Sequence, residues 1–158
     1  MSVTKIGDKR SIMQRILMKL TDDYGNQEGT TMNYTQYILT AKDAISLEEA
    51  NDIFTRLQHG IDKNDEDIVE FYNDFIEGAL EYASIRGGWL LLSKDEKMEQ
   101  DKGRTIRHDS VITRINILAR YLESIGKDIS WRKDLGDSRK RIGDFACYVA
   151  LFYGLSAR

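Results

Sequence analysis

The chain has 158 residues, of which 31% are charged, with a formal net charge of −3, one cysteine and no proline. This length suits one domain with a real core, and the counts exclude collagen-like, low-complexity and disulfide-framework classes. Average usage would supply roughly eight prolines, so their absence suits a chain of uninterrupted helices.

Ile12, Ile16 and Leu20 mark a first amphipathic helix. Tyr34, Tyr37, Ile38 and Ala41 mark a short second one. Ser46 and Glu49 read as a capping box. Behind it Leu47, Ala50, Phe54, Leu57 and Ile61 recur at helical spacing, with Gly60 near the end. Asn64 is the expected cap of the next helix, which carries Ile68, Phe71 or Tyr72, Phe75, Ala79 and Tyr82, and Gly87-Gly88 stops it. Ser93 and Glu96 form a second box for a short helix ending at Gly103. Asp109 or Ser110 then starts a helix whose seam is Val111, Ile115, Leu118, Leu122 and Ile125, closed by Gly126. Residues 24–31 and 127–136 read as irregular. Trp89 to Leu92 could form a strand, but a lone strand has nothing to pair with.

Asp137 is the expected cap of the last helix, which carries Ile142, Phe145, Val149 and Phe152. Residues 145–155 are apolar all round, which implies burial on every side. A stripe of small residues, Gly143, Cys147, Ala150 and Gly154, fits either a central core helix or a self-association surface, with core preferred. The expectation is an all-α fold: one domain over residues 1–158, a compact bundle of six or seven helices with a buried C-terminal helix.

That apolar run is eleven residues long, short of the roughly 20 that span a bilayer. Charges interrupt the first ten residues too often for a signal peptide, and a single cysteine suits a reducing compartment. A cytoplasmic protein with no membrane partner is expected.

The net charge hides a segregation. Residues 1–40 carry +1, residues 41–100 carry −9, and residues 101–158 carry +5. Glu66, Glu70, Asp74, Glu77 and Glu81 share one helix face, and no Lys or Arg lies between Lys63 and Arg86 to relieve them. That face reads as solvated, as paired with the basic half, or as a cation site. Arg104, Arg107, Arg114, Arg120, Arg132, Lys133, Arg139, Lys140 and Arg141 could contact phosphates. Arg139, Lys140 and Arg141 fall in a first helical turn, where the macrodipole disfavours cations; that placement points to an anionic partner outside the helix, an acidic surface before a phosphate.

Chemical motifs are sparse. The sequence contains no phosphate-cradling glycine loop, no HExxH and no paired-cysteine zinc spacing. His59, beside Gly60, suits a helix C-terminus. His108-Asp109-Ser110 cannot converge as a triad, because consecutive residues point apart. Cys147 reads as a packed thiol. Trp89 and Trp131 lie outside the strongest seams and are weak binding candidates as interface anchors, as are Arg139, Lys140 and Arg141.

Asp74-x-x-Glu77, followed after eighteen residues by Glu96-x-x-Glu99, resembles the paired acidic motif of the all-α nucleoside-triphosphate pyrophosphohydrolases. In that family the first pair is Glu-Glu and the second ends in Asp. The resemblance would make Asp74, Glu77, Glu96 and Glu99 ligands of Mg²⁺ for metal-assisted hydrolysis. The leading expectation is a non-enzymatic protein with no cofactor that acts through protein–protein contacts, self-association included. The Mg²⁺-dependent hydrolase is the first alternative and a nucleic-acid binder using the basic half is the second.

Overall fold

A computed structural model describes residues 44–156. The two N-terminal helices expected at residues 12–20 and 34–41, and the loop at 24–31, lie outside the described residues.

Helix α1 spans Leu47–His59, and Ser46 Oγ accepts the Glu49 N–H at 3.0 Å. Only that half of the expected box forms. The Glu49 carboxylate instead accepts from Arg141 Nη2 at 2.9 Å. Helix α2 spans Glu66–Gly87. Its cap is Asp65, one residue past the expected Asn64, and its carboxylate accepts from Asp67 and Ile68 N–H at 3.0 and 3.2 Å. A carboxylate is favoured there by the positive end of the helix dipole. A 3-10 turn follows at Trp89–Leu91.

Helix α3 is continuous over Lys94–Ser124, 31 residues, behind a complete Ser93–Glu96 capping box. This corrects two expectations: Gly103 does not end a helix, and neither Asp109 nor Ser110 starts one. A helical glycine costs about 1 kcal/mol against Ala, too little to break a helix capped at one end and packed at the other. Helix α4, Ser130–Leu135, falls inside the stretch read as irregular. Helix α5 spans Arg139–Ser156. Ser138 rather than Asp137 caps it: Ser138 Oγ accepts the Arg141 N–H at 3.3 Å, while Asp137 is drawn to Arg132 Nη2 at 3.0 Å.

The described residues therefore hold five α-helices and no strand, an all-α fold. The expected six or seven counted two outside the described residues, split α3 in two and omitted α4. Gly126 (φ +83°) and Gly136 (φ +82°) end α3 and α4 at positive φ, where a side chain would be strained.

Helices α2 and α3 run antiparallel. Phe71 meets Tyr121 with centroids 5.2 Å apart, Tyr82 stacks on His108 at 4.7 Å, and Ile85 lies beside Gly103. Helix α5 lies against α1, α2 and α3, with every residue from 142 to 152 buried. Phe145 stacks on Phe75 and Phe152 on Phe54. Fully burying each such side chain contributes about 1.5–3 kcal/mol. The expected buried C-terminal helix is present; of its small-residue stripe, Gly143, Cys147 and Ala150 are core, while Gly154 is half-buried with nothing within 4 Å of a Cβ there. No helix among the described residues is long and apolar enough to cross a membrane.

Candidate functional site

Gly143 brings α5 close to α2 and α3, and a polar cluster forms where the three meet. A Cβ at 143 would lie 2.9 Å from both His108 Nε2 and Tyr82 Oη. His108 Nε2 is 2.8 Å from the Arg139 carbonyl, which fits an N–H donor on the neutral ring. Burial, and then the nearby guanidinium groups, push its pKa below the ordinary value, although the carbonyl opposes this. Arg86 Nη1 donates to Tyr82 Oη, and burial raises the Tyr82 pKa strongly.

Asp144, 1% exposed, is the buried carboxylate of the cluster. Its Oδ2 accepts from the Ala44 N–H at 2.8 Å and from Lys140 Nζ at 3.0 Å, and its Oδ1 lies 3.5 Å from Arg86 Nη2. Arg141 Nη1 donates to the Ala44 carbonyl at 2.9 Å. Both backbone polar groups of Ala44 are thus held by α5. The cluster is closely packed and ties the segment before α1 to α5. Periodicity could not reveal it, because Arg86, His108 and Asp144 come from three helices.

The expected binding residues are engaged within the chain. Arg139 pairs with Asp109 at 2.7 Å, Lys140 with Asp144, and Arg141 with Glu49. Their anionic partners are therefore carboxylates of the same fold. Trp131 is fully buried in α4, with an indole N–H that meets no acceptor, so it is a core plug rather than a surface anchor. Trp89 is half-buried, with the Arg104 guanidinium 4.7 Å from its ring centroid. Six of the nine cations named as phosphate contacts have carboxylate partners, which leaves Arg107, Arg120 and Lys133 with no ion pair among the described residues.

The acidic face of α2 is exposed throughout. One of its members reaches the basic half: Glu77 accepts from Arg114 Nη1 at 3.2 Å, and the same nitrogen donates to the Asp74 carbonyl at 2.8 Å. Arg114 crosses α2 over Gly78, whose missing side chain gives it room.

The carboxylates of the hydrolase-like motif are not brought together. Glu77 is level with Arg114, and Glu99 lies fifteen residues earlier on α3, roughly 22 Å along the axis at 1.5 Å per residue. Glu96 is occupied at the Ser93 cap, whose backbone and side-chain hydrogen bonds hold its carboxyl below the usual range. No group of three or more His, Cys, Asp or Glu among the described residues could hold a metal ion. This donor set does not fit Mg²⁺.

What sequence reading missed is the outer side of α3. Residues 94–107 include no buried residue, and the first of them extend past the end of α2, since Gly103 is already level with Ile85. Met98 is 71% exposed, Ile106 57% and Ile117 43%. At about 100° per residue the three fall within an arc of about 100°, opposite the buried seam of Val111, Ile115, Leu118 and Leu122. Splitting α3 at Gly103 had hidden this stripe. Shallow grooves flank it, one lined by Ser84, Arg107 and Arg114, the other by Asn116, Arg120 and Lys133.

Comparison with protein-family profiles, curated proteins and solved structures finds no match for this chain.

Proposed function

We propose that this is a non-enzymatic protein that acts through protein–protein contacts, self-association included, made by the outer face of α3. The observation that carries this reading is the exposed row of Met98, Ile106 and Ile117 on a helix whose first fourteen residues, 94–107, include none that is buried. Single exposed apolar residues are ordinary, but these three share one helix face at spacings of eight and eleven residues, which offers a partner apolar contacts along its length. The intrachain pairing of Arg139, Lys140 and Arg141 weighs against the nucleic-acid alternative, and the separated carboxylates weigh against the hydrolase.

The test is photo-crosslinking in cells. A photoreactive residue in place of Met98 is expected to yield discrete protein adducts. The same residue in place of Glu66, exposed on α2, serves as the control. Absence of adducts at 98, or an identical pattern at 66, would refute the proposal.

A further inference from the structure

The same face is self-complementary. Asp95, Met98, Lys102, Ile106, Thr113, Ile117 and Arg120 are all exposed and lie along it. The pair Met98 and Ile117 has the same midpoint as the pair Asp95 and Arg120, between Arg107 and His108. Two antiparallel copies of α3 with a two-fold axis at that midpoint would place Met98 of each on Ile117 of the other. Asp95 of each would then meet Arg120 of the other. Neither Asp95 nor Arg120 has an ion-pair partner among the described residues. Ile106 flanks the axis and falls opposite Asp109, whose carboxylate is already paired with Arg139 of its own chain; Lys102 falls opposite Thr113, and Glu99 opposite Asn116. No like charges meet in this register.

We propose, resting on the reading that this face is a docking surface, that its occupant is a second copy of the chain, paired antiparallel along α3. A two-fold axis makes one patch serve both partners, so every contact occurs twice. Residues 95–120 span roughly 39 Å, and a helix is about 10 Å wide, which gives a footprint near 400 Å² per copy. This is about half the roughly 800 Å² per partner of a standard specific interface, so the dimer is weak, transient and concentration-dependent.

Sedimentation equilibrium of the full chain tests it. The mass should rise from 18.2 kDa toward twice that value across the micromolar range. Met98→Asp and Ile117→Asp should keep the helical circular dichroism and remain monomeric. Asp95→Arg should weaken the dimer roughly 2- to 30-fold, from two exposed ion pairs of about 0.2–1 kcal/mol each. Adding Arg120→Asp to it should restore the affinity. Under mild oxidation, Met98→Cys chains should link to Ile117→Cys chains and not to one another. A monomer at every concentration would overturn the pairing, as would a dimer indifferent to these variants or Met98→Cys linking to itself. Adducts at 98 to other proteins, with the purified chain monomeric, would overturn the pairing while sustaining the docking reading; no adducts at all would remove that reading.

Discussion

Gly143→Ala is the sharpest test of the packing described above. The new Cβ would sit 2.9 Å from His108 Nε2 and Tyr82 Oη and 3.1 Å from Tyr82 Cε2. Neither neighbour can retreat cheaply. His108 is tied to the Arg139 carbonyl, and Tyr82 is stacked on His108 and bonded to Arg86. Alanine gains about 1 kcal/mol over glycine in a helix interior. Overpacking costs about 1–3 kcal/mol, and a displaced His108 leaves a buried acceptor unsatisfied for about another 1–3 kcal/mol. The expected result is a net loss of about 1–5 kcal/mol, read by urea denaturation, with the melting temperature falling about 2–4 °C per kcal/mol for a chain of this length. Gly154→Ala is the control, because nothing lies within 4 Å of a Cβ there. It should be neutral or stabilise by up to about 1 kcal/mol. A Gly143→Ala protein as stable as the parent would refute the argument that this glycine seats α5 on α2 and α3.

Three further outcomes are expected. The depressed His108 pKa means the unfolded chain takes up its proton first; stability should fall as pH drops below about 6.5 and level off below the folded pKa, and His108→Gln should flatten the pH 7 to 5.5 part of the stability profile. Asp144→Ala removes the buried carboxylate from beside Arg86 and the acceptor from Ala44, so denaturation should show a loss of about 3–5 kcal/mol, with faster exchange of the Ala44 amide. Ser93→Ala should speed amide exchange over the first turns of α3 while changing global stability by no more than about 1 kcal/mol, because none of residues 94–107 belongs to the buried core.

The helical fold was legible because its signals are local. Ser46, Ser93 and Gly126 act where their residue types and spacing say they should, and the α3 seam from Val111 to Leu122 is buried as its 4, 3, 4 spacing requires. What failed was punctuation inside a helix. Gly103 and Asp109 looked like a stop and a start, but tertiary packing and the cap at Ser93 carry the helix through both. Ser138 displaced Asp137 as a cap because Arg132, a partner invisible to local reading, claimed the carboxylate. The cluster around Asp144 was illegible for the same reason: its members are 58 residues apart between Arg86 and Asp144, and 100 between Ala44 and Asp144.

Helix α5 is central to the bundle and is also the last described element to be made. Until it emerges, Phe54 and Phe75 lack the α5 rings that stack on them, and Ala44 lacks the α5 side chains that hold it. A growing chain therefore carries a half-built apolar surface through most of its synthesis, the condition in which nascent chains stick to one another. The net charge of −9 on residues 41–100 makes such unfinished chains repel. The charge that leaves the acidic face of α2 open to solvent in the finished bundle thus opposes association of the unfinished one.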